Sequence, residues 1–322
     1  AKIFKNVSGL NIYYSCRFGS DEVFEGEETS FIETISNKKA IPVPWIRAEI
    51  NTSKWLSFSG LKSVEAQESN FITSSFVLKS RQKITRRWNV KCLKRGVYKI
   101  DDVILVWGDL FGLMSNSKYA GTDAEIIVYP QIIELDDIAP NIDSIMGEVI
   151  VKRWVNHDPF IVAGVKEYSS YDSMKDIHWN ATAKMGKLMV RKYDFTSQPS
   201  FTILLNIQSQ ENDFVEAANK DVIEKGIKVA ATLVDKSAAL GIPVQLAANG
   251  FMVDEEEQML YSSKGLGSEH YRSLLVSLAK LNLKVAESFD KLVSNVAENI
   301  HDTNVAVITA FMNDEIYDAV IQ

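Results

Sequence analysis

The feature that most constrains this chain is a change of hydrophobic period near residue 130. Before it, short runs rich in Val, Ile, Phe, Tyr and Trp span residues 10–17, 29–35, 45–50, 71–78, 83–92, 97–107 and 125–129. They recur about every 8 to 14 residues, the rhythm of short strands joined by turns. Turn formers such as Arg95-Gly96 lie between them, and Pro42-Val43-Pro44 forces extended backbone. No helical period competes, so residues 1–130 read as an antiparallel β-sandwich.

Residues 131–160 change character, with acidic Glu134-Leu135-Asp136-Asp137 followed by Pro140, and read as a linker. Beyond them, apolar runs at 201–207, 243–248 and 304–311 alternate with long amphipathic stretches at 214–240, 268–281 and 284–299. Apolar strands alternating with helices imply a mostly parallel sheet covered on both faces. The first helix is expected to bury Phe214, Ala217, Ala218, Val222, Val229, Leu233 and Leu240, and to stop at Gly241-Ile242-Pro243. The expected fold class is therefore α/β plus all-β, with domains at 1–130 and 161–322.

Composition agrees with two folded domains, since 322 residues exceed the ~250 that one core usually organises. A net charge of -7 without a Lys/Arg block argues against nucleic acid as a partner. Cys16 and Cys92 are expected to be free thiols. No apolar run approaches the ~18 residues of a membrane span, and the opening AKIFKN carries no signal-peptide core.

Recognisable catalytic motifs are missing: neither a Gly-x-Ser-x-Gly elbow nor a phosphate loop ending in Gly-Lys-Ser/Thr occurs. His157, His178, His270 and His301 have no metal-ligand spacing and no nearby cysteine. The acidic run from Asp254 to Glu257 reads as a solvated loop or helix start. The expectation is a chain with no enzyme activity, no metal and no cofactor. The densest chemistry lies in 164–191, where Lys166, Glu167, Asp172, Lys175, Asp176, His178, Lys184, Lys187 and Arg191 surround Tyr168 and Trp179. Such a cluster can bind an anion or lock elements together around a large aromatic; the plainer alternative is a core tryptophan with surface charges.

That segment resembles the signature of the bacterial family called domain of unknown function 58. The residues that carry the resemblance are Gly164, Lys166, Glu167, Tyr168, Asp172, Lys175, Ile177, His178, Trp179, Ala183, Lys184, Val190 and Arg191. Lys166, Lys175 and Lys184 stand where the family usually has Arg, which keeps charge but loses the bidentate fork. The resemblance implies a von Willebrand factor A-like, Rossmann-like domain after the signature, with further strands beyond Gln322. It implies a metal site in which Asp-x-Ser-x-Ser would ligate. Here Asn206, Gln208 and Gln210 fill those positions, and neutral amides are poor ligands for a hard cation, so the site is expected to be degenerate. It further implies a membrane tether ahead of the sandwich, a place on the cytoplasmic face of the bacterial inner membrane, and a MoxR-type AAA ATPase as partner.

Three functions compete. A protein-binding scaffold would use the signature residues Lys166, Glu167, Tyr168, Asp172, Lys175, His178, Trp179, Lys184 and Arg191. A metal-dependent binding domain would need Ser209, Asp235 or Asp254 to replace the missing ligands. A hydrolase or transferase would use His178 with Asp172 or Asp176 as an acid/base pair.

Overall fold

The computed structural model describes residues 11–65, 69–108, 115–135, 162–169, 173–193, 200–253, 255–299 and 303–321. The chain divides into two compact units, residues 1–132 with 275–281, and residues 133–274 with 282–322.

Among the described residues the first unit contains ten strands: β1 (Ile12–Phe18), β2 (Glu22–Phe24), β3 (Glu28–Asn37), β4 (Val43–Ser53), β5 (Leu56–Phe58), β6 (Lys62–Glu65), β7 (Ser69–Leu78), β8 (Lys83–Cys92), β9 (Gly96–Gly108) and β10 (Ser115–Tyr129). They form a four-stranded sheet, ordered β1-β3-β8-β5, and a six-stranded sheet, ordered β2-β10-β9-β4-β7-β6. Every pairing is antiparallel except β2 with β10. Period-2 alternation decides which face is buried: along β7, Ile72, Ser74, Phe76 and Leu78 point inward while Phe71, Thr73 and Ser75 do not. Phe31 and Ile35 of the first sheet share one core with Ile46, Ile50 and Ile72 of the second.

Two buried charges are satisfied within this unit. Glu33 is fully buried and accepts from Tyr14 Oη at 2.8 Å and Trp88 Nε1 at 2.6 Å. Burial, with the Glu33 charge beside it, pushes the Tyr14 phenol far above its usual range. Arg95 is also buried and donates Nη1 to the carbonyls of Leu278 and Leu281, residues that group with this unit. Cys16 and Cys92 are free and buried. They lie on β1 and β8 with β3 between, so two interstrand steps of ~4.8 Å hold them further apart than the ~7 Å limit for a disulfide.

The second unit opens with an antiparallel pair, β11 (Val162–Glu167) and β12 (Met189–Tyr193), enclosing a 3-10 turn (Met174–Asp176) and helix α1 (Trp179–Met185). Then follow β13 (Ser200–Leu205), α2 (Lys220–Ala239), β14 (Val244–Met252), β15 (Glu255–Tyr261), α3 (Ser268–Lys280) and β16 (Leu281–Val285), of which residues 275–281 group with the first unit, and then α4 (Phe289–Ala297), β17 (Thr303–Ile308) and α5 (Asp314–Ile321). The sheet runs β15-β14-β13-β17, with β16 paired to β14 off that path. β13 lies parallel to both β14 and β17, and all six of its residues are buried, as a central strand covered on both faces requires.

Three expectations need correction. The chain is not the α/β fold of von Willebrand factor A type that the resemblance implied. Among the described residues strand accounts for 49% and helix for 24%. The second unit pairs its parallel strands with an antiparallel β15 and is preceded by an antiparallel pair, so it is not a uniformly parallel Rossmann-like sheet. The first long helix starts at Lys220, not 214, and buries Ile223, Ile227, Ala230, Ala231 and Val234. Phe214, Val222 and Leu240 are exposed. The stretch read as helix from 284 begins as strand β16, because Leu281, Leu283 and Val285 alternate inward with period 2. Most of the expected linker, 136–160, lies outside the described residues.

Candidate functional site

The signature segment forms a small module of its own. Val165 pairs with Arg191, Lys166 with Val190 and Glu167 with Met189 across β11 and β12. His178 N donates to Met189 O at 2.8 Å, and Met189 N donates to Thr182 Oγ1 at 3.0 Å, which pins α1 to β12. The buried residues are Ile177, Met189 and Val190. His178 is the N-cap of α1, its Nδ1 accepting from Ala181 N at 3.1 Å. Gly186 ends the helix in the left-handed region, where a side chain is unfavourable.

This geometry separates the roles assigned from sequence. Trp179 is no core anchor: as the first residue of α1 it is 68% exposed. Met174, Met185, Leu188 and Val165 are exposed too. Lys166, Lys175, Lys184 and Arg191 are exposed, and Glu167 pairs with Lys187 at 3.3 Å. Tyr168 is half-buried, its N–H donating to Leu188 O. Asp172 lies outside the described residues. His178 serves as a helix cap, and Asp176 sits in the 3-10 turn before it.

The three positions expected to mark a degenerate metal site part company. Asn206 and Gln208 are buried at the end of β13, while Gln210 is exposed and contributes its backbone N–H. Asn206 Oδ1 accepts from Gln208 N and Asn249 Nδ2, and Asn206 Nδ2 donates to Thr309 Oγ1. Gln208 Oε1 accepts from Asn249 Nδ2 and Phe289 N, and its Nε2 donates to Asp213 O. Asn249, fully buried, also donates to Glu287 O and accepts from Ile207 N. The amide oxygens that would face a cation are thus occupied by N–H donors.

The carboxylate beside them is Asp213, which sequence reasoning overlooked. Its Oδ2 accepts from Ser209 Oγ (2.6 Å), Ser209 N (2.9 Å), Ala218 N (3.0 Å) and Gln210 N (3.2 Å). Burial pushes its carboxyl upward, but the Ser209 hydroxyl and the backbone donors outweigh this and hold it below its ordinary value. The proposed substitute ligands are not assembled either. Ser209 is committed to Asp213 and Asn219, Asp235 accepts from Tyr271 Oη at 2.8 Å, and Asp254 lies outside the described residues. Among the described residues no group of three or more His, Cys, Asp or Glu could hold a metal ion.

Two cavities of about 450 and 400 Å³ flank β17. The larger is lined by Val222, Ile223, Val229, Leu233 and Ile308, and among the described residues Lys225 is its sole ionisable lining group. A third, of about 280 Å³, is lined by the loops after β13, β16 and β17. It brings together Glu211, Asp290 and Glu315 with Phe214, Phe289 and Phe311, none of which had been read from the sequence as a site residue.

No family model and no curated protein matches the chain. Solved structures similar to parts of it include a cohesin from Archaeoglobus fulgidus, at 10% identity over 40% of this chain and 98% of that one, TM-score 0.26. Others are a CARDB domain from Pyrococcus furiosus in complex with di-metal ions (11%, 36% and 91%, TM-score 0.25) and a cohesin of Acetivibrio cellulolyticus in complex with a dockerin (12%, 36% and 98%, TM-score 0.25). Among the described residues no helix is long and apolar enough to cross a membrane.

Proposed function

We propose that the chain is a protein-binding module that docks an acidic partner through the β11–β12 and α1 segment. The observation that carries this reading is the exposure of Trp179, Met174 and Met185 within one small module rich in cations. In a chain of net charge -7, residues 164–191 hold five Lys/Arg against three Asp/Glu. Tryptophan buried at the centre of an interface is a common hot spot, worth about 2 kcal/mol or more when truncated, while cations around it steer an acidic partner. Methionine adapts to irregular partner surfaces. His178 Nδ1 is taken up in capping α1, which favours a structural role for this imidazole over hydrolysis.

The finer reading is a scaffold at the bacterial membrane whose partner is a MoxR-type ATPase; its support is the resemblance of the signature residues. Biolayer interferometry of the intact chain against the purified ATPase tests both levels. A micromolar complex that weakens about ten-fold or more in Trp179→Ala, and again in Lys175→Glu with Lys184→Glu, is expected. Binding indifferent to all three changes would refute the surface. No binding by the unaltered chain would remove the ATPase.

A further inference from the structure

We propose that the cavity of about 280 Å³ beside Phe214 receives a lysine or arginine side chain presented by a partner protein. This goes beyond the docking surface above, because it uses other residues and the opposite charge.

Size comes first. The cavity is slightly smaller than the ~300 Å³ at which small-molecule sites begin, but it admits one long side chain. Three phenylalanines line it: Phe289 is buried, Phe311 half-buried, and Phe214 is 73% exposed in the loop after β13. An apolar ring left in water at the mouth of a cavity is the surface on which the methylenes of Lys or the plane of Arg can lie.

Charge selects the ligand. Glu211, Asp290 and Glu315 line the cavity, and among the described residues no Lys or Arg does. Glu211 accepts from Asn313 Nδ2 at 3.0 Å, and among the described residues none of the three carboxylates is in an ion pair. The N-termini of α4 and α5 reach the same place, with Phe289, Asp290 and Glu315 among the lining residues. Each helix end is worth about half a positive charge, so the two supply roughly +1 against three full negative charges. An anion is therefore repelled and a cation attracted. These carboxylates do not form a metal-binding group. Carboxylates that do not gather into a metal-binding group, in a cavity that phenylalanines also line, suit an ammonium or guanidinium on a long stem.

The test is a ¹⁵N TROSY titration of the intact chain with N-acetyl-L-arginine amide and N-acetyl-L-lysine amide. N-acetyl-L-citrulline amide serves as the neutral isostere and free L-arginine as the unlinked ligand. Saturable shifts are expected at Glu211, Phe214, Asp290 and Asn313, with a dissociation constant of about a millimolar for at least one capped cation. Asp290→Asn and Glu315→Gln should each weaken it about three-fold or more, and Phe214→Ala likewise. Citrulline amide should bind about ten-fold more weakly or not at all. Equal shifts with citrulline amide would overturn the proposal, as would shifts unchanged in the variants or no shifts at this loop cluster. Free arginine binding ten-fold tighter than the capped amide would also overturn it, since the ligand would then be an amino acid and not a protein side chain. The citrulline comparison uses the unaltered chain and stands even if a variant fails to fold.

Discussion

Replacing Asp213 by Asn is the sharpest test of the polar centre, because it removes one charge at nearly constant shape. One oxygen, Oδ2, accepts all four donors, from Ser209 Oγ, Ser209 N, Ala218 N and Gln210 N. An Asn whose Oδ1 takes that position keeps the four bonds and loses their charge assistance. Bonds to a charged group contribute ~1.5–3 kcal/mol and neutral ones ~1. Four donors on one atom compete, so the loss is far from additive, and a total near 2 kcal/mol is expected for the variant at neutral pH.

The sign of the pH dependence follows from the direction of the shift. The folded carboxyl sits below its unfolded value, so its contribution is fully present above the unfolded pKa, about 3.9. It is lost as pH falls through the folded pKa. The gap between Asp213 and its Asn variant should therefore be constant from about pH 7 to 5 and close below about pH 4. Because the chain has two units, a single unfolding transition is not assured. Amide hydrogen exchange of Ser209, Gln210 and Ala218, read from pH 3 to 7 with intrinsic rates corrected, isolates the local opening energy. Equal protection in both proteins at pH 7, or a gap that widens on acidification, would refute the reasoning.

Asn249→Asp should behave oppositely: Nδ2 donates to Asn206 Oδ1, Gln208 Oε1 and Glu287 O, so a carboxylate there faces three acceptors. The loss should reach ~3 kcal/mol and deepen as pH rises above ~4, and a urea midpoint that rises on acidification would show it. Cys16 and Cys92 have thiols pushed up to about 11, by burial first and Glu33 or Glu27 beside them. Both should resist Ellman's reagent at pH 8 in the folded chain and react in guanidinium; prompt labelling without denaturant would contradict their burial. Gly226 lies inside α2, where an added Cβ would stand 3.4 Å from Ile308 Cγ2 and 3.5 Å from Leu205 Cδ1. Gly226→Ala should stabilise by ~0.5 kcal/mol through helix propensity and Gly226→Leu should destabilise by more than ~1, both read from thermal midpoints.

Legibility in the sequence followed the physics of periodicity. Strands of ten residues with one buried face, such as β3, β7 and β8, show the pattern that burial imposes, and the reading found them. β2, β5 and β6 have three or four residues each, too few to display any period. The start of α2 was misplaced because Phe214 and Ala217 fit a helical spacing, yet the chain there is organised by Asp213 and by the Asn219 cap on Val222. Trp179 was left open between a core anchor and a binding aromatic. Composition marks it as large and apolar, but its place at the first turn of a seven-residue helix turns it outward. The polar centre was half legible: Asn206 and Gln208 were singled out, while Asn249 joins them from β14 through a pairing that no local pattern announces.

The placement of charge in the second unit links these observations. Asn206, Gln208 and Asn249 are neutral, buried and satisfied by one another, so the ends of β13 and β14 need no counter-ion to hold their shape. A buried carboxylate in place of any of the three would require a cation or a strong set of donors, as Asp213 has. With the amide centre neutral, ionisable groups stand near it at Glu211, Asp290 and Glu315, lining a cavity that Gln208 and Phe289 also line. Gln208 belongs to both regions, since the Oε1 that closes the amide network also accepts from the first N–H of α4. Loss of that side chain would loosen the helix end that carries Asp290. The amide centre is thus the rigid base on which the acidic cavity depends, and the binding chemistry lies at its rim.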